Sequence, residues 1–202
     1  HLQPLRLPGG ERAAREPWRM AVSALHGAAL GYRIGAWLKK TYPERDAGPL
    51  LTMLARDLRC PPTSSLGRWF DAAAGILGMR AASCYEGQAA MELEGLATAY
   101  GPVAPLADGW HIRHGVLDLS PLVSALLDCD DMAYGAALFH TTLAAGLAEW
   151  TLAAVDREKG AKIAVGGGCA MNAVLMSALR RHLEGAGVTL LEARQAPPND
   201  GG

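Results

Sequence analysis

Apolar residues recur at helical intervals along most of the chain. From Trp18 to Lys40 they fall at Ala21, Leu25, Ala28, Ala29, Tyr32 and Ala36, the three-and-four spacing of a single buried face. Pro17 stands where a helix tolerates it, in the first turn. A second helical pattern runs from Gly48 to Leu58 through Leu50, Leu51 and Leu54, and Cys60-Pro61-Pro62 ends it. A third, capped by Thr63, Ser64 or Ser65, carries the stripe Leu66, Trp69, Phe70, Ala73, Ile76 and Leu77. From Gln88 onward Ala90, Leu93, Ala97 and Tyr100 face inward. Two more helices cover Leu119–Leu127 and Ala133–Val155, the latter with Leu143, Leu147, Trp150 and Ala154 on one side.

Three stretches break this rhythm. Residues 1–16 are rich in Pro, Gly and charge and read as an irregular surface loop. Residues 101–118 alternate instead, with Trp110 and Ile112 before His114-Gly115 and Val116-Leu117 after it, which predicts a β-hairpin. His111 and His114 on such a hairpin point to opposite faces, which argues against a metal pair. Near the end, Ile163-Ala164-Val165 meets Gly166-Gly167-Gly168, a helical pattern follows at Met171, Val174, Leu175, Ala178, Leu179 and Leu183, and Val188–Leu191 is again β-like. That is strand, tight turn, helix, strand. The class is α/β with helices dominating, without an internal repeat.

Composition narrows the function classes. The 202 residues suit one large domain or two lobes, and half of them are hydrophobic. Nineteen Lys and Arg nearly cancel twenty Asp and Glu, with no run of like charge, so the sequence lacks an electrostatic footprint for nucleic acid. No apolar stretch approaches a membrane span and no signal-peptide order is seen, which makes a soluble cytoplasmic protein the expectation. Cys60, Cys84, Cys129 and Cys169 are scattered without a CxxC pair and read as buried thiols.

The candidate chemistry centres on the glycine turn. Glycines at a strand-to-helix junction let a ligand approach the main chain closely. The helix beyond points unpaired N–H groups and the positive end of its dipole at the turn, so an anion or a nucleotide is a natural occupant. Elsewhere Asp71 lies beside the stripe of the third helix. Arg15, Glu16 and Arg19 read as solvated or interlocked surface charges. Glu92 and Glu94, two apart on a helix, do not face each other and make no acid/base pair. His140 reads as a hydrogen-bonded packing residue rather than a base.

Several strings then carry a resemblance: PGGERAAREPWRMA, TSSLGRWFDAAAGILG, YEGQAAMELE, FHTTLA, VGGGCAMN and QAPPNDGG. Together they resemble the C-terminal part of the Kae1/TsaD-like module of the HypF carbamoyltransferases, which take part in hydrogenase maturation. The resemblance covers 1–202 and implies a helix-rich C-terminal portion of an actin/Hsp70/sugar-kinase (ribonuclease H-like) fold. It also implies that Asp71, Gly87, the Gly166–Gly168 turn and Asn172 hold the adenosine part of ATP or carbamoyl-adenylate, with Asp200 on a divalent metal. The family has a glycine turn near Glu86-Gly87 but no acid there, so the role of Glu86 stays open.

The implied reaction passes a carbamoyl group to a C-terminal cysteine of the partner HypE. Upstream acylphosphatase, zinc-finger and YrdC-like domains make the adenylate, and no nucleophile is expected in this chain. The family's HHHAH metal motif and DGxGYGxDG loop do not occur here, so the chain is expected to be cut at both ends. It would keep the adenosine side of a cleft and lose the metal and phosphate side, and the fragment alone would be inactive. Two alternatives stay open: a non-catalytic interaction module, or an O-carbamoyl or threonylcarbamoyl transferase of the same fold.

Overall fold

A computed structural model describes residues 1–155 and 161–193. In chain order the elements are β1 (Leu5–Arg6), α1 (Glu11–Arg15), α2 (Pro17–Gly27), α3 (Ile34–Thr41), α4 (Gly48–Ala55), β2 (Pro62–Thr63), α5 (Leu66–Ile76), α6 (Gln88–Tyr100), β3 (His111–Arg113), β4 (Val116–Asp118), α7 (Ser120–Leu127), α8 (Met132–Ala154), β5 (Lys162–Ala164), α9 (Ala173–Gly185) and β6 (Thr189–Leu191). Helices α2 and α5 pack on each other, α5 lies against α6, α6 against α8, and α8 against α9. Strands β5 and β6 pair in parallel, with Ile163 opposite Leu190, so β5–α9–β6 is the expected strand–helix–strand unit. The α/β class and the helical dominance stand.

Helix α5 is the centre of the packing. The sequence gives it one apolar stripe, yet every residue from Trp69 to Ile76 is buried, because α2 covers one side while Phe70 meets Phe139 edge-on at 5.0 Å on the other. Alanines at 72–74 and Gly75 let the backbones approach. A Cβ on Gly75 would lie 2.3 Å from the Pro17 carbonyl oxygen and 3.0 Å from Ala21 Cβ. The last carbonyls of α5 are taken by the Trp37 indole, 2.9 Å from the Ile76 oxygen, and the Tyr42 hydroxyl, 3.0 Å from that of Gly75.

Two boundaries differ from the expectation for a shared reason. The single helix predicted over 18–40 is broken after Gly27, and the one predicted to reach Leu58 stops at Ala55. At the first break Leu30 N–H bonds the Leu25 carbonyl and Ala29 N–H that of His26, while Ala29 turns left-handed at φ 59°. Leu58, Met53, Asp57 and Leu54 repeat the arrangement at the second, with Asp57 at φ 52°. This is the helix-ending motif that normally carries Gly at the left-handed position. Ala and Asp there give no stop signal. The break rotates the later face, so Ile34, Trp37 and Leu38 are buried and Tyr32, expected inward, is 82% exposed.

The first residues are not a loose loop. β1 pairs antiparallel with β2, and Ser23 clasps β1 to α2 by accepting from Arg6 N–H and donating to the Arg6 carbonyl. Leu2 bridges to Leu117 beside the predicted hairpin, which forms through β3 and β4 with His114 and Gly115 both at positive φ. Glu16 and Arg19 interlock, one of the two readings the sequence allows, but mostly below the surface rather than on it. Glu16 accepts from Arg12 at 2.5 Å, Arg19 at 2.6 Å and the Trp18 indole at 2.9 Å, and Arg19 is buried. Burial raises the Glu16 pKa, but these donors win and hold it below the ordinary value. Among the described residues no helix is long and apolar enough to cross a membrane.

The contact at Gly75 gives the first prediction. Gly75→Ala must push two backbones apart and should cost about 2 kcal/mol of stability in spite of alanine's better helix propensity. Gly95→Ala, on the open face of α6 with nothing within 4 Å, should instead gain about 0.5–1 kcal/mol. Urea unfolding midpoints of the two variants check the opposite signs.

Candidate functional site

The glycine turn follows β5. Gly166, Gly167 and Gly168 are all exposed, and Gly167 takes φ 90° with no atom within 4 Å of where a Cβ would stand. Residues Gly168–Met171 then form a short 3-10 turn, and α9 begins only at Ala173. Met171, read as part of the buried helical face, therefore lies outside the helix and is 57% exposed.

The N-terminus of α9 is not left open as the pattern implies. The Glu94 carboxylate on α6 accepts from Ala173 N–H at 2.7 Å, and Asn172 caps Leu175 N–H through Oδ1 at 2.8 Å. The Asn172 amide also donates to His140 Nε2 at 3.0 Å, while His140 Nδ1–H donates to the Ala136 carbonyl at 2.7 Å. These bonds fix the neutral tautomer of His140, which is completely buried. Burial drives its pKa down to about 4. The packing role expected of His140 is what the structure shows. Asn172, expected on the ligand, is 6% exposed and directs its amide into these internal bonds.

Asp71 sits on the buried helix α5, where burial raises its pKa to about 6, the Arg68 charge opposing the rise and that of Glu86 adding to it. Arg68 Nη1 stands 2.9 Å from Asp71 Oδ2, but its hydrogen bond goes to the Ala14 carbonyl at 3.0 Å. Asp71 Oδ2 is buried and has no hydrogen-bond donor among the described residues. Cys169, in the 3-10 turn, belongs to the same cluster: its sulfur would lie 3.9 Å from a Cβ on Gly67, and its pKa is raised by burial, lowered by Arg68 and raised by Asp71.

Gly87 opens α6 in a left-handed conformation at φ 78°, with nothing near its Cβ position. The loop before it is tied down by Arg80, which donates to Glu92 at 2.6 and 3.0 Å, and by Gln88, which accepts from Cys84 N–H at 2.7 Å. The structure thus brings together Asp71, the Glu86-Gly87 turn and the end of the Gly166–Gly168 turn, with Asn172 bracing the last from within. Asp200 lies outside the described residues. Arg68, Glu94 and Cys169 were missed as members of the site. Arg68, three residues ahead of Asp71 on one helix, carried a legible signal. Glu94 could not be placed from sequence, because its partner is 79 residues away.

The family model for the carbamoyltransferase Kae1-like domain, second subdomain, matches residues 1–202. The chain belongs to that family. It is 46% identical to the carbamoyltransferase HypF2 of Cupriavidus necator and 45% identical to the carbamoyltransferase HypF of Rhizobium leguminosarum bv. viciae, in each case over the whole of this chain. The chain spans 28% and 26% of those relatives. A crystal structure of full-length HypF in the phosphate- and nucleotide-bound form superposes with a TM-score of 0.82 at 26% identity, over all of this chain and 27% of that one. The Kae1-like fold of the subdomain follows from both comparisons.

Asp71 and His140 impose opposite pH dependences. Between about pH 4 and 6 folded Asp71 holds a proton that the unfolded chain has released, so this group makes stability fall as pH rises, by about 3 kcal/mol in all. From about pH 4 to 6.5 the unfolded chain protonates His140 and the folded chain refuses to, so this group makes stability rise with pH by a similar amount, about 3 kcal/mol. The Asp71 and His140 contributions together should be nearly flat across the window in the wild type. Asp71→Asn should unmask a rise with pH and His140→Gln a fall, read from urea midpoints at about pH 4.5 and 6.5; parallel slopes in all three proteins would contradict the assignment.

Proposed function

We propose that this subdomain holds the adenosine part of carbamoyl-adenylate while the carbamoyl group passes to a cysteine thiolate at the C-terminus of HypE. The observation that carries this reading is the Asp71 oxygen, buried and lacking a donor, beside two turns whose glycines leave their main chain open. A ribose hydroxyl is the kind of donor that such an acceptor lacks. Gly87, Gly167 and Gly168 offer backbone N–H groups to the edge of a base, with open space at their Cβ positions, while the Gly87 and Gly167 carbonyls are held by Met91 and Ala170 N–H.

In this reading Asp71 accepts a hydroxyl hydrogen bond and orients the nucleotide, the glycine turns shape the wall beside it, and the Glu94, Asn172 and His140 bonds keep the second turn still. The thiolate attacks the carbamoyl carbon, the C–S bond forms as the C–O bond to the phosphate breaks, and AMP leaves. The attacking sulfur comes from the partner, which is why raised thiol pKa values at Cys60, Cys129 and Cys169 are no obstacle. The adenylate would be made by upstream acylphosphatase, zinc-finger and YrdC-like domains in a cytoplasmic protein. Among the described residues no group of three His, Cys, Asp or Glu is placed to hold a metal. Asp200 as a metal ligand therefore stands on the family pattern, and no step here runs through it.

The test uses the full-length carbamoyltransferase that carries this subdomain. Asp71→Asn and Gly167→Val should each weaken nucleotide binding about tenfold or more, with transfer to the partner falling accordingly. Asn172→Ala should lower stability by about 1 kcal/mol through the lost cap, whatever its effect on the ligand. Undiminished nucleotide affinity in both Asp71→Asn and Gly167→Val would sink the reading.

A further inference from the structure

Away from that site, and sharing no residue with it, a groove of about 530 Å³ runs between α1, the start of α2, α4 and the loop after α4. Its lining includes Arg12, Arg19, Arg45 and Arg59 together with Pro49, Leu50 and Met53. The volume is that of a small-molecule site. Four guanidinium groups there meet three carboxylates: Glu44 and Asp46 in the lining, and Glu16 beneath it.

The three carboxylates do not neutralise the groove evenly. Glu16 is taken by Arg12 and Arg19, and Glu44 makes no ion pair among the described residues, so four guanidinium groups against three carboxylates leave one net positive charge. Asp46 accepts from Gly48 N–H at 2.8 Å at the start of α4. Arg45 and Arg59 make no ion pair and no side-chain hydrogen bond among the described residues, and both are exposed. Arg45 is nevertheless held in place. Its guanidinium lies 5.7 Å from the centre of the Trp18 ring, a cation–π contact that favours this position for the group.

Arg59 is held by its backbone. It sits at φ 52°, a left-handed conformation that a long side chain adopts only at a cost, and its carbonyl is tied to Gly9 N–H at 3.0 Å. Two guanidinium groups without ion-pair partners, in a groove that Pro49, Leu50 and Met53 also line, match a ligand with one oxyanion and an apolar body.

We propose that this groove is a second binding site, in which Arg45 and Arg59 take the oxyanion of a small aliphatic carboxylate or phosphomonoester and Pro49, Leu50 and Met53 take its chain. The test follows the arginine Nε–H and methionine methyl signals of this chain by NMR during titration with sodium hexanoate, hexyl phosphate, inorganic phosphate and hexan-1-ol. Hexanoate and hexyl phosphate should move the Arg45, Arg59 and Met53 signals along one saturable curve, and their order of affinity tells a carboxylate source from a phosphate source. Inorganic phosphate should move the arginines alone and bind more weakly. Arg45→Gln and Arg59→Gln should each weaken the binding about tenfold, and Lys39→Gln should leave it unchanged. Linear, unsaturable shifts with every anion, affinities untouched in both arginine variants, or hexan-1-ol binding as tightly as hexanoate would each overturn the proposal.

Discussion

Helix α5 is enclosed by α2, α6 and α8, and the enclosure catches a carboxylate. Asp71 is 4% exposed, with one arginine at ion-contact distance and no hydrogen-bond donor to its Oδ2 among the described residues. A charge in that setting is costly unless something completes it. The molecule lowers the cost partly by raising the Asp71 pKa toward neutrality and partly through Arg68. Much of the remaining structure serves this arrangement: Gly75 and the alanines before it let α2 close down, and Trp37 and Tyr42 seal the far end of the helix. The site is thus a by-product of how tightly the centre is packed, with its polar atom left over on the side where the two glycine turns arrive.

The second turn depends on a different set of bonds. Asn172 ends the 3-10 segment, starts α9 and reaches His140 in the middle of α8, so the turn is tied both to the helix it opens and to the helix beneath. His140 can accept from Asn172 only while neutral. Its depressed pKa is therefore part of the same design, and its protonation would undo the cap and the turn together. Asp71 and His140 are both in the core and offset each other's response to acid, and Phe70, the chain neighbour of Asp71, meets the His140 ring edge-on at 5.4 Å.

Much of this was legible in the sequence because the relevant signals are local. The strand, glycine turn, helix and strand after Lys162, the hairpin at His114-Gly115, and the helices around Phe70, Leu93 and Leu143 all declare themselves by period or by turn chemistry. Boundaries failed where an unusual residue did a glycine's work, as Ala29 and Asp57 do at helix ends. Faces failed after such a break, as with Tyr32. For the candidate site, Asp71 entered through the family resemblance and the glycines through their turn, but the capture of the α9 terminus by Glu94 was announced by neither. That contact depends on how α6 and α9 cross, and nothing near Glu94 in the chain announces it.

The Glu94 contact has a consequence for selectivity. A helix mouth beside a glycine turn usually draws negative charge, but here a fixed carboxylate already stands at it. An incoming group that is itself strongly anionic meets repulsion at this spot, whereas a neutral, flat, hydrogen-bonding edge meets none. Under the proposed reading, this wall would favour the nucleoside end of a nucleotide and turn a phosphate away from α9.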